Sequence, residues 1–172
     1  MRILILASEF PPGPGGIGTH AFEVAKGLAQ TGDDVLVLAP QDYAAEESLS
    51  RFNAGLPFTL RRLSHGRFSV LEGLSHGVIL CQTLRAWQPE VVMTSGMRPS
   101  WLMAACSLVS RRKWAAVGHG TEFGGANPWH RRLTVWAFRR ADACIAVSDF
   151  TRTVIANLGV PPGSIVVIPN GA

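Results

Sequence analysis

Two short stretches of this chain carry residue types that could do chemistry. One is Phe10-Pro11-Pro12-Gly13-Pro14-Gly15-Gly16-Ile17-Gly18-Thr19-His20, and the other is Gly118-His119-Gly120-Thr121-Glu122. The first lies between an apolar run, Arg2 to Ser8, and a run that places Ala21, Val24, Ala25 and Leu28 on one helical face. A glycine loop at that junction points free backbone N–H groups, and the positive end of a helix dipole, at one spot. That spot suits a phosphate, and glycine lets the backbone come close to it. The second stretch sets one imidazole between two glycines, with a carboxylate three residues on. An imidazole donates and accepts near neutral pH. His119 can therefore serve a bound ligand or satisfy loop backbone groups, and Glu122 can orient His119, hold a ligand hydroxyl or stand exposed.

Gly13, Gly15 and Gly18 spell a literal G-x-G-x-x-G. In a dinucleotide fingerprint the first glycine follows the strand almost directly, and an acidic residue ends the second strand. Here Glu9-Phe10-Pro11-Pro12 intervene, and the second strand runs into Pro40-Gln41, with Asp42 a poor substitute. Two alternatives stay open on the residues alone. One is a nicotinamide-binding oxidoreductase domain, and the other is a non-catalytic module for a phosphorylated ligand.

The elements that must position these loops alternate along the chain. Apolar runs at 2–8, 35–39, 91–94, 114–117, 143–147 and 165–168 read as strands, and the mixed run 59–63 (Thr59-Leu60-Arg61-Arg62-Leu63) reads as a strand near an edge. Helical patterns follow at about 70–87, 100–109, 128–140 and 149–158, with a short helix in the polar stretch 40–55. In the helix over 70–87 the expected apolar stripe is Leu71, Leu74, Val78 and Cys81. Pro99 should lie just before the helix that begins at Ser100. Ser148 reads as an N-cap. Alternating strands and helices predict an α/β fold: a doubly wound, mainly parallel Rossmann-like sheet with helices on both faces. Ligands then bind beyond the carboxyl ends of the strands, where the glycine loop, Arg98, His119, Glu122 and Ser148 fall.

The composition sets the bounds. The chain has 172 residues, 47% of them apolar, which suits one domain with a sizeable core. No apolar run reaches the roughly 18 residues of a membrane span, and no signal-peptide pattern follows Met1. Cys81, Cys106 and Cys144 lie far apart in sequence without a C-x-x-C pair. Buried, reduced thiols in a cytoplasmic protein are expected, and a metal site is not. A net charge of +4 and a pI near 9.5 favour an anionic partner. The clustered arginines lack the interleaved aromatics of a nucleic-acid-binding arm, so no nucleic-acid partner is expected.

Four motifs in order resemble one family. The run from Ile3 through Pro12 and Gly15-Gly16-Ile17-Gly18-Thr19-His20 is similar to the opening of the family 4 retaining glycosyltransferases. Gly118 to Glu122 resembles their central histidine loop. Ala141 to Ser148, and Val167-Ile168-Pro169-Asn170-Gly171, resemble their later signatures. The resemblance implies the GT-B arrangement of two Rossmann-like domains facing across a cleft. Residues 1–172 would form the N-terminal, acceptor-side domain, with the C-terminal donor-binding domain not represented. It also implies metal-independent transfer of a hexose from a nucleotide-sugar, with retention, and no cofactor beyond that donor. An isolated domain of this kind would be weakly active or inactive.

The resemblance extends to residue roles. Backbone N–H groups of Gly15, Gly16, Ile17 and Gly18 would meet the donor diphosphate. His119 would hydrogen-bond the transferred sugar, with Glu122 beside it. His20, Arg98 and Thr121 would lie toward a sugar or lipid-linked acceptor. Two basic clusters remain, one of Arg61, Arg62 and Arg67, the other of Arg131, Arg132, Arg139 and Arg140. The second shares its helix with Trp129, Leu133 and Trp136. That stripe is expected to face the core beneath solvated arginines. The alternative is peripheral docking on an anionic membrane surface.

Overall fold

The computed structural model describes residues 1–41, 44–64, 70–124 and 127–170. Asp42, His65, Arg67, Gly125 and Gly171 lie outside the described residues. The elements are β1 (Arg2–Ala7), α1 (Gly16–Gln30), β2 (Asp34–Pro40), α2 (Glu46–Ala54), β3 (Thr59–Leu63), α3 (Val70–Ala86) and β4 (Val91–Ser95). Then come α4 (Met97–Cys106), β5 (Lys113–Gly118), α5 (Pro128–Arg140), β6 (Ala143–Ala146), α6 (Asp149–Asn157) and β7 (Ile165–Val167). The seven strands make one sheet in the order β3-β2-β1-β4-β5-β6-β7. Every pairing is parallel.

Strands β1, β2 and β4 are apolar on both sides because both faces of the sheet are covered there, whereas the edge strand β3 exposes Thr59, Arg61 and Arg62. Side chains alternate along each strand. Ile3, Ile5, Val35 and Val37 pack toward α1 and α2 with Ala21, Ala25 and Phe52. Leu4, Leu6, Leu36, Leu38 and Val92 pack the other way, against Leu80 of α3, Met103 of α4, Phe138 of α5 and Ile155 of α6. The expected doubly wound, Rossmann-like fold is the fold observed. Its consequence is a crevice: β1 leads into a helix on one face, and its neighbour β4 leads into a helix on the other. The strand ends between them form a topological switch point, where such sheets take their ligands.

Three local expectations are corrected. Helix α4 starts at Met97, three residues earlier than expected, so Pro99 sits inside its first turn. The first-turn N–H groups have no intrahelical acceptor, so a proline there costs the helix no hydrogen bond. In α3 the stripe Leu71, Leu74 and Val78 is 77%, 62% and 56% exposed, while Leu80, Thr83 and Leu84 are buried. In α5 the stripe Trp129, Leu133 and Trp136 points outward, at 69%, 41% and 36% exposure. Thr134, Ala137 and Phe138 fill the inner face instead.

All three cysteines are free thiols; Cys106 and Cys144 are buried, and Cys81 is half-buried. The fold nevertheless brings two that are distant in sequence together: Cys81 Sγ of α3 lies 3.4 Å from Cys106 Sγ of α4. Burial pushes the Cys144 thiol up to about 12. Among the described residues, no helix is long and apolar enough to cross a membrane.

Candidate active site

The glycine loop is shaped by one carboxylate. Gly15 is the N-cap of α1 at φ 140°, a backbone setting that disfavours a side chain. A Cβ there would collide with the carboxylate of Glu9. Glu9 Oε1 accepts the Gly18 N–H at 3.0 Å. The first intrahelical bond runs from the Thr19 N–H to the Gly15 carbonyl, 3.1 Å. The Gly18 N–H, expected to meet a diphosphate, is taken by Glu9, and the residue is buried. The N–H groups of Gly16 and Ile17 come first in the helix and have no intrahelical acceptor.

The imidazole of His119 is set by three elements. Gly118 ends β5 with Ile155 and Phe138 packed so close that a Cβ would lie 2.9 Å from Ile155 Cδ1. His119 then turns out of the sheet, and its N–H is held by both oxygens of Glu122, each at 3.1 Å. Its Nε2 shares a 3.0 Å hydrogen bond with Ser95 Oγ at the end of β4. Ser95 is fully buried, so this bond fixes the ring's rotation. The His20 ring on α1 meets the His119 ring edge-on, with centroids 4.9 Å apart. That contact joins the glycine-loop helix to the β5 exit across the switch point.

The electrostatics follow from the burial. Burial holds the His119 imidazole below its ordinary value, against an opposing pull from Glu9. His20 is lowered first by burial and then by His119, and its Nδ1 is buried without a hydrogen-bond partner among the described residues. Both rings are therefore neutral at neutral pH, one nitrogen of each a donor and the other an acceptor. Burial raises the Glu122 carboxyl, and the backbone N–H groups it accepts pull the other way.

A cleft of about 570 Å³ runs from Gly15 and Gly16 along Thr19, His20 and Glu23 to Ile168, Pro169 and Asn170. Arg98 lies elsewhere, lining a smaller cavity of about 40 Å³ with Ser8, Glu72 and His76. Thr121 is exposed in a 3-10 turn over Thr121–Phe123. The structure thus brings His20 against His119 at the glycine-loop helix, with Glu122 holding His119, while Arg98 lines a different cavity. Ser148 caps α6, accepting the Thr151 N–H at 3.1 Å. Among the described residues no three His, Cys, Asp or Glu side chains converge as a metal set.

Two residues of the cluster escape a reading of motifs. Ser95 becomes legible only once β4 and β5 are known to be neighbours, since its partner lies 24 positions away. Glu9 reads as part of a stiff strand exit, yet it is the acceptor that closes the first turn of α1. At the end of β2, where a dinucleotide fold would carry a ribose-binding carboxylate, Gln41 is buried. It donates to the Pro11 carbonyl at 2.6 Å and pairs with Asn53.

A parallel sheet of this order, with a glycine loop and an imidazole at its switch point, defines a Rossmann-type ligand-binding domain. The chain belongs to Glycosyltransferase Family 4, whose sequence profile matches residues 14–172. It is 26% identical to glycogen synthase of Mycobacterium tuberculosis, an alignment that takes in 99% of this chain and 48% of that protein. Among solved structures it resembles Anabaena HepE in complex with UDP and glucose, with a TM-score of 0.73 at 22% identity. That match covers 100% of this chain and 45% of HepE. The lipopolysaccharide outer core galactosyltransferase WaaB, apo form, gives a TM-score of 0.71 at 17% identity, over 100% of this chain and 46% of WaaB. The chain spans about half the length of the curated relatives it matches.

Proposed function

We propose that this domain forms one wall of a retaining, metal-independent glycosyltransferase site and takes a hexose from a nucleotide-sugar to a sugar or lipid-linked acceptor. The observation that carries this reading is the His20–His119 contact, which links the glycine loop to the imidazole at the switch point. The N–H groups of Gly15, Gly16 and Ile17 meet the donor diphosphate. His119, neutral and fixed by Ser95, hydrogen-bonds a hydroxyl of the transferred sugar. Glu122 acts through His119 by holding its backbone N–H, which makes it a positioning residue. As the glycosidic bond breaks, charge gathers on the departing phosphate, and preorganised N–H donors stabilise it without reorganisation.

Arg98, in its separate cavity, stands on the acceptor side. HepE has been solved with UDP-glucose, so uridine diphosphate sugars are the first donors to try. The test is amide chemical-shift mapping with UDP-glucose added in the presence of a metal chelator. Gly15, Gly16 and Ile17 should shift and saturate while Gly18 stays nearly still. A titration that leaves all four in place, or that moves only residues of α5, overturns the reading.

A further inference from the structure

Helix α5 has an outer face that neither the core nor the candidate site uses. Trp129, Leu133 and Trp136 form an exposed ridge along it. Arg132 stacks on Trp129 with its guanidinium 5.4 Å from the ring, and Arg140 lies 5.8 Å from the Trp136 ring. The helix carries four arginines and no carboxylate. The whole chain's net charge is +4, so outside α5 the basic and acidic side chains balance. Among the described residues none of the four arginines is within ion-pair distance of a carboxylate. At the far end of α5, Arg140 reaches Ser107, which brings the exposed Leu108 and Val109 alongside. Arg111 and Arg112 line the same small cavity as Arg140.

We propose that this face docks on an anionic lipid surface, with Trp129, Leu133 and Trp136 in the headgroup layer and the arginines on lipid phosphates. Ring and guanidinium alternate as that environment requires: tryptophan is apolar with one N–H, and arginine pairs with phosphate while its stem lies along apolar surface. The inner face is fully engaged, with Trp101 Nε1 donating to Thr134 Oγ1 at 3.1 Å and Phe123 edge-on to Phe138. The helix can therefore dock without leaving the fold. A second copy does not fit, because two faces of the same charge repel. The helix is 13 residues long, about 20 Å. Its first turn follows the His119 loop, so docking would hold the strand-end crevice beside the bilayer.

The test is co-sedimentation of the chain with vesicles of phosphatidylcholine alone and with vesicles in which about a third of the lipid is phosphatidylserine. Binding should require the anionic lipid and weaken as salt rises. Changing Arg131, Arg132, Arg139 and Arg140 to Gln should cost about fivefold in partitioning per residue. In the unaltered chain, brominated lipid should quench tryptophan fluorescence, and Trp129→Phe with Trp136→Phe should abolish that quenching while the far-ultraviolet spectrum is retained. Equal sedimentation with both vesicles overturns the proposal. So do an all-Gln variant that binds as before, quenching that survives in the Phe variant, and retention on an acidic oligonucleotide with no vesicle binding.

Discussion

His20 and His119 face each other at the switch point, and burial lowers both below the ordinary imidazole value of 6.5. The unfolded chain therefore takes up protons at these positions before the folded chain does. The stability they contribute is complete above pH 6.5 and drains away as the pH falls toward their folded values. Glu122 is shifted the other way, raised by burial, so its contribution grows as the pH falls through its folded value. The imidazole pair should govern the first drop in melting temperature on acidification from pH 7.5. His20→Asn removes one titrating ring from the pair and should shrink the drop between pH 7.5 and 5.5. Melting curves at the two pH values decide it, and an unchanged drop would show that the ring protonates without cost.

At the same scale, His119→Ala removes the imidazole proposed to meet the transferred sugar while Glu122 still holds the loop by the backbone N–H. Losing one preorganised donor typically costs about 100- to 1000-fold in turnover. The prediction is a loss of that size in kcat for an enzyme containing this domain, with donor KM changed much less. Ser95→Ala leaves the imidazole in place but frees its rotation, so it should lose less than His119→Ala and recover in part with Thr. A donor-consumption assay across the three variants separates contact from positioning.

Helices show where periodicity runs out as a guide. The strands were legible because a doubly covered strand must be apolar throughout, and six such runs recur with helices between them; the seventh, β3, carries Arg61 and Arg62 and lies at the edge. The glycine loop and His119 were legible because local backbone chemistry demands those residue types at a strand exit. The facing of α3 and α5 was not. In α3 apolar residues surround the helix: Leu71, Leu74 and Val78 on one side, Leu80 and Leu84 on the other. The i, i+3, i+7 pattern then fits two faces and selects neither. In α5 the larger apolar residues are outside, and the inner face is built from Thr134, Ala137 and Phe138, smaller on average but shaped to the sheet and α4.

This gives a test of facing. Phe138→Ala should cost about 3–5 kcal/mol, since it empties a fully buried site. Trp129→Ala together with Trp136→Ala should cost no more than about 1 kcal/mol. Urea denaturation of the two variants checks it, and the reverse order of cost would put the tryptophans back in the core.

For the whole molecule, the cleft beside the glycine loop has walls from α1 and the end of β7, and the residues past β7, Ile168 to Asn170, are exposed. Val166 and Ile168 also leave apolar surface bare on this side. Gly16 is exposed there and Ile17 half-buried. Electrostatic stabilisation of a departing phosphate depends on excluding water, because the same donors are worth far less in a high dielectric. On the proposed mechanism, a second wall is therefore what would exclude that water. The family members it resembles are about twice its length. Leaving one side open forfeits at least what the loss of one donor would, so the 172-residue chain alone should turn over UDP-glucose at least about 100-fold more slowly than the same chain extended by a second Rossmann-type domain from a family 4 relative. Radiolabelled sugar release measured for both forms at equal concentration tests it. Rates within tenfold of each other would mean that the imidazole, the loop and the open cleft suffice, and that the second wall serves binding rather than the chemical step.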